Sequence, residues 1–180
     1  MQETTYDVVL LVEQPLSLQD AEQVRGLHTD IADPLRYHVL MPVEDAAARV
    51  ESALGSIAAS EVLASPALVM DRQNIEAVQR ELLEEARSEV KVCVDRLDTV
   101  GVDVVGEVVV ADPVDALAAK VAEVAAAEAI ILTRPHVVAE FFHLDWTSRA
   151  RRKLGVPVLH LLEHESFDEQ AGGGEGVTGL

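Results

Sequence analysis

Five short apolar runs, each separated from the next by a segment of helical character, constrain this chain more than any other feature. The runs are DVVLLV (7–12), YHVLM (37–41), VDVVGEVVV (102–110), AIILT (129–133) and VPVLHLLEH (156–164). Most do not alternate apolar with polar residues, so a strand made from them hides both faces, as strands of a parallel sheet do. Between the first two runs, Leu18, Ala21, Val24 and Leu27 fall at helical spacing, with Ser17 as a candidate N-cap. A second helical stretch is expected from about 45 to 63, ending near Pro66. The longest periodic segment, 74–98, carries a stripe of Ile75, Val78, Leu82, Ala86, Val90 and Val94 with charge opposite, and Gly101 follows as a C-cap glycine. Cys93 lies near that stripe and reads as a small core thiol. Asp112 suits an N-cap, Pro113 the first helical position and Asp115 the positive helix end. A last helix, closed by Gly155, precedes the final run. Strands alternating with helices imply an α/β three-layer sandwich of the Rossmann-like or flavodoxin-like kind. Its ligands lie beyond the carboxyl ends of the strands.

The chain of 180 residues has the length of one domain, read as 1–164, with a flexible Gly-rich tail over 165–180. Its formal charge of −18 argues against nucleic acid as a partner, because a polyanion is repelled at long range. No apolar run approaches the roughly 20 residues of a bilayer span, and MQETTYDVV has no secretory pattern. The single cysteine fits a reducing compartment, so the expectation is a cytoplasmic protein that needs no membrane.

The segment 133–153 reverses the local charge. Arg134, Arg149, Arg151, Arg152 and Lys153 stand against Glu140 and Asp145, a net of +3 inside an acidic chain. Two readings stay open. Arg134 leaves a strand end and can grip a phosphate or carboxylate, with Trp146 or Phe141 stacking on a ring. Alternatively, the later basic residues offset a helix C-terminus or pair with acidic neighbours, and Phe141, Phe142 and Trp146 form an apolar plug or a dimer contact. His136 and His143 are ligands, acid–base groups or structural histidines; with Asp145 they match no strong metal signature, and no metal is assigned. HLLEH fits the H-x-x-E-H metalloprotease pattern in letters only. It continues a β run, where His160 and His164 stand ~13 Å apart at about 3.3 Å per residue.

Three features together resemble the universal stress protein family over about residues 6–164: the element order, GEVVVADPVDALAAKVAE with its strand, Asp-Pro turn and helix, and the AIILTRPH…VPVLHLL strand-helix-strand unit. The resemblance implies a five-stranded parallel sheet of order 3-2-1-4-5 and a homodimer through the last strand, Val156 to Leu162. An unprotected apolar edge there agrees with pairing. One branch of the family binds ATP through G-x2-G-x9-G-[ST] after the fourth strand, the glycines letting backbone N–H groups approach the phosphates. Laid on this sequence, the glycine positions fall at Thr133, His136 and Trp146, and Thr147 matches the hydroxyl residue. All three glycines are replaced, and Glu13-Gln14 stand near the family's usual aspartate after the first strand. The expectation is a regulatory or binding module with a degenerate nucleotide pocket and no catalytic residues. The alternative is binding of a nucleotide or other small anion through the altered loop 133–147. The candidate ligand residues are Glu13, Gln14, Thr133, Arg134, His136, Trp146 and Thr147, and ATP or another adenine nucleotide is the candidate cofactor.

Overall fold

The computed structural model describes residues 5–43, 72–133 and 149–162 of the chain. In order, these form β1 (Tyr6–Val12), α1 (Leu18–Gly26), β2 (Leu35–Pro42), α2 (Arg72–Thr99), β3 (Asp103–Val109), α3 (Pro113–Val124), β4 (Glu128–Thr133), a helical stretch at 149–153, and β5 (Val158–Leu162). All strand pairs are parallel and the sheet order is β3-β2-β1-β4-β5, the order that the family resemblance implies. The expected helix over 45–63 and the tail 165–180 lie outside the described residues.

The continuous apolar runs are explained by cover on both faces. Along β1, Val8, Leu10 and Val12 join α1 and α2 in one buried cluster. Val9 and Leu11 join α3, Ala150 and Leu154 in a second cluster on the opposite face. β2 and β4 divide in the same way, as period-2 geometry requires. Each fully buried Leu, Ile or Val contributes about 1.5–3 kcal/mol relative to exposure, so β1, buried from Val8 to Val12, sits at the centre of the stability.

Local signals set the helix boundaries. Ser17 caps α1 in a reciprocal box: its Oγ accepts from Asp20 N at 3.1 Å, and Ser17 N donates to Asp20 Oδ2 at 2.7 Å. This geometry revises the expected stripe of α1. Leu18 is the first helical residue and faces solvent, while Leu16, just before the cap, is buried in the same cluster as Ala21. That is the arrangement of a hydrophobic staple. In α2 the buried line runs Leu82, Ala86, Val90, Cys93 and Leu97, with Val94 only half-buried. Steps of four residues drift by about 40° each on a helix of 3.6 residues per turn, and the three-residue step to Cys93 restores the face. Gly101 has φ +80° just beyond α2, and Gly155 has φ +61° after the 149–153 stretch.

The sheet's two edges are β3 and β5. On one face of β3, α2 lies close: a Cβ on Gly106 would sit 2.8 Å from Cγ2 of both Val90 and Val94. The other face of β3 is more open, and Val105 there is 49% exposed.

Candidate functional site

The fold brings two of the expected loci side by side at the carboxyl ends of the strands. Val12 is in register with Leu132, so the half-buried Glu13 and Gln14 leave β1 beside Thr133 at the end of β4. Thr133 in turn is in register with Leu162. Arg134, His136, Trp146 and Thr147 lie outside the described residues, as do Phe141, Phe142, His143 and Asp145. Of the expected site residues, the structure brings Glu13, Gln14 and Thr133 together at these strand ends.

Thr133, at the first glycine position of the nucleotide motif, is 1% exposed, and its Oγ1 lies 2.8 Å from Nε2 of His160 on β5. A hydroxyl both donates and accepts, so this pair is satisfied in either tautomer of the imidazole. The bond also places His160 on a strand, as expected, and removes any zinc-helix reading of HLLEH; His164 lies outside the described residues.

Past the carboxyl end of β3, at the far edge of the sheet, stands Asp112. Its Oδ1 accepts from Val114 N and Asp115 N, both at 3.0 Å, closing the N-terminus of α3. Arg149 Nη2 donates to both carboxylate oxygens of Asp112 at 3.1 Å, and Lys153 Nζ reaches Asp115 Oδ1 at 2.6 Å. Partial desolvation works to raise the Asp112 carboxyl, but the Asp115 N–H, the Arg149 guanidinium and the Val114 N–H together outweigh it and hold it below its ordinary value. For Arg149 and Lys153 the structure therefore selects pairing with acidic neighbours, while Arg151 and Arg152 are exposed. Among the described residues, no group of three or more His, Cys, Asp or Glu is placed to hold a metal ion. No helix among them is long and apolar enough to cross a membrane.

A second polar constellation, not foreseen from the sequence, sits at the opposite, amino ends of the strands. His28 Nε2 makes a short hydrogen bond with Glu128, and Tyr37 Oη lies 2.7 Å from His28 Nδ1. A carboxylate only accepts, so His28 donates from Nε2, while its Nδ1 lies 3.0 Å from the Val24 carbonyl as well as beside the Tyr37 hydroxyl. Tyr6 Oη lies 3.4 Å from Glu128, and Val24 O lies 3.2 Å from Tyr37 Oη. Tyr37 is fully buried and His28 is 3% exposed. Burial pushes the Tyr37 phenol well above its ordinary range, with the Glu128 charge adding to the rise and Arg25 opposing it. No substrate reaches such a hydroxyl, and the cluster ties α1 to β1, β2 and β4.

No protein-family model and no curated protein matches the sequence. Solved structures similar to the chain include the hypothetical protein MJ0577, at 16% identity over 89% of this chain and 99% of that one, with a TM-score of 0.56. They also include a universal stress protein from Archaeoglobus fulgidus (14% identity, 86% of this chain, 93% of that one, TM-score 0.48). A third is a universal stress protein family protein from Arabidopsis thaliana with AMP bound (11%, 88% and 92%, TM-score 0.48). The likeness to MJ0577 is one of fold.

Proposed function

We propose that the chain is a universal-stress-like regulatory or binding module, not a catalyst, whose nucleotide pocket at the carboxyl ends of β1 and β4 is degenerate. The observation that supports this reading is the Thr133–His160 pair. Where the ATP-binding pattern asks for a glycine with bare backbone, this chain has a buried side chain already engaged by its neighbour. The replacement of the other two glycines by His136 and Trp146 acts in the same direction, adding bulk where phosphate needs backbone N–H groups.

Thermal unfolding against ATP, ADP and AMP at fixed low salt tests the reading. A site that binds only the native state, held at ~100 times its dissociation constant, stabilises by about 2.7 kcal/mol, a shift of several degrees. The expected result is no such shift at millimolar nucleotide, and no ATP turnover above the uncatalysed rate. A shift of several degrees specific to adenine nucleotides would overturn the degenerate pocket. It would favour the alternative, in which Arg134, His136, Trp146 and Thr147 of the altered loop line the pocket, with Gln14 opposite, and hold the anion. Arg134→Ala would then abolish the shift. The same module forms a homodimer through Val156 to Leu162. β5 is an edge of the described sheet, and sedimentation at micromolar concentration measures the association directly.

A further inference from the structure

The hydrogen bonds around His28 fix how many protons its ring must carry. The residue is 3% exposed, and each ring nitrogen faces an oxygen. Nε2 meets the Glu128 carboxylate. Nδ1 lies 3.0 Å from Val24 O and 2.7 Å from Tyr37 Oη, and Tyr37 Oη lies 3.2 Å from the same Val24 O. Burial keeps the Tyr37 phenol neutral, so its hydroxyl has one proton to give. With a single ring proton on Nε2, that hydroxyl must donate to Nδ1. Val24 O then loses its side-chain donor and faces a bare Nδ1 lone pair at 3.0 Å. With a single ring proton on Nδ1, a bare Nε2 faces the carboxylate instead. With a proton on each nitrogen, every contact sets a donor against an acceptor: Nε2–H to Glu128, Nδ1–H to Val24 O or Tyr37 Oη, and Tyr37 O–H to Val24 O. Sliding the shared proton from Nε2 to Glu128 leaves that count, and the Nδ1 proton, unchanged.

The surroundings favour that charge. Val24 O is one of the last four carbonyls of α1, which lack a full partner within the helix. Leu27 N reaches it only at 3.3 Å and is shared with Gln23 O. A cation two residues past the helix also sits at the negative end of its dipole. The Glu128 side chain is 20% exposed, so a neutral ring would leave it a mostly buried lone charge, whereas an imidazolium pairs it. The groups facing the ring are Tyr6 from β1, Tyr37 from β2, Glu128 from β4 and Arg25 from α1 itself. Arg25 opposes a second positive charge, and its guanidinium is engaged by His28 O at 3.2 Å. His38 also meets a carboxylate, with Asp7 Oδ1 at 2.6 Å from its Nε2. What distinguishes His28 is the helix carbonyl at its second nitrogen.

We propose that His28 is a buried imidazolium whose Nδ1 proton is a pH-operated latch, holding the end of α1 to β2 and β4. Loss of that proton sets the Nδ1 and Val24 O lone pairs against each other and frees the last turn of α1. An unperturbed imidazole is mostly neutral at pH 7, so the folded chain binds the extra proton there and the unfolded chain does not. The latch therefore opens as pH rises, the reverse of the Asp112 carboxyl, whose contribution is lost as pH falls. It is independent of the nucleotide reading, since it shares no residue with the carboxyl-end pocket.

Proton–nitrogen correlation NMR of the full chain, with nitrogen-labelled histidine rings, reads the Nδ1 state directly, and amide hydrogen exchange along α1 reads the latch. At pH 7 the expected result is a protonated Nδ1 on His28. As pH is raised, that signature is expected to convert to a bare nitrogen. Over the same interval the protection factors of the Leu27 and His28 amides are expected to fall about tenfold, the loss of one hydrogen bond to a charged group. Tyr37→Phe is expected to keep the Nδ1 proton, because Val24 O remains to accept it. Glu128→Gln is expected to remove it at pH 7, because the compensating charge is gone. A bare Nδ1 at pH 7 in the parent chain would overturn the proposal, and that measurement needs no variant to fold. So would a bare Nδ1 in Tyr37→Phe, a protonated one in Glu128→Gln, or α1 protection that does not follow the Nδ1 titration.

Discussion

The two ends of the sheet treat polar side chains in opposite ways. At the amino ends, Tyr6, His28, Tyr37 and Glu128 join through hydrogen bonds into one mostly buried network that links β1, β2, β4 and the residue two beyond α1. At the carboxyl ends, Arg149, Asp112, Lys153 and Asp115 meet as ion pairs with about a third to a half of each side chain in solvent; among the described polar residues there, Thr133 and the capping Asp20 are deeply buried. The difference is one of dielectric. A buried polar group without its partner forfeits a hydrogen bond and keeps the desolvation cost, whereas an exposed one turns to water. The amino end is therefore where polar residues hold the fold, and the carboxyl end is where they can be exchanged for a ligand or lost at small cost.

Removing one partner at the amino end breaks the comparison most directly. Glu128→Ala leaves His28 Nε2–H without an acceptor at a residue 3% exposed, and it also frees the Tyr6 hydroxyl. The expected loss is about 3 kcal/mol in urea unfolding. A loss below about 1 kcal/mol would mean that water reaches His28 and that the two ends do not differ. At the carboxyl end, Asp112→Ala removes both the α3 cap and the Arg149 acceptor, and about 1.5 kcal/mol is expected, chiefly from the cap. Thr133→Val keeps the shape and deletes the hydroxyl facing His160, for an expected cost of about 1 kcal/mol in the same assay. A Thr133→Val variant as unstable as Glu128→Ala would place the strand-end pocket with the core.

Much of this architecture was legible in the sequence because its causes are local. The unbroken apolar runs announce strands covered on both faces, and Ser17, Asp112-Pro113 and Gly101 mark helix ends by chemistry that acts within a few residues. Leu18 departs from the expected stripe because helical spacing alone does not show which side of a capping box an apolar residue falls on. The amino-end network was invisible for a different reason. His28 and Glu128 are 100 positions apart and meet only because β4 inserts beside β1, so topology must be known before either residue has a partner. His38 and Asp7 are hidden in the same way, in strands whose apolar neighbours dominate the pattern. At the candidate site, motif spacing located Thr133 and the loop after it. It did not show His160, which arrives from the next strand through register.

The smallest effect sharpens the comparison most, because it must be small for the stated reason. Arg149 is 36% exposed and its partner Asp112 41%, so Arg149→Ala is expected to cost no more than about 0.5 kcal/mol at low salt. Near 1 M salt, where the screening length is about 3 Å, most of that is expected to vanish. Glu128→Ala should be nearly indifferent to salt, since the partners it separates are mostly buried. The pH dependence carries the same signature with a definite sign. Asp112 has a carboxyl held below its ordinary 3.8 in the folded chain, so its contribution is complete above about that pH and is lost as pH falls through the lower folded value. Asp112→Asn keeps the cap but not the charge. The stability gap between it and the parent should therefore be constant from pH 7 to about 5 and close as acid is added. A gap that widened in acid would mean that Asp112 is not the group titrating, and that the Arg149 pair contributes through packing instead of charge.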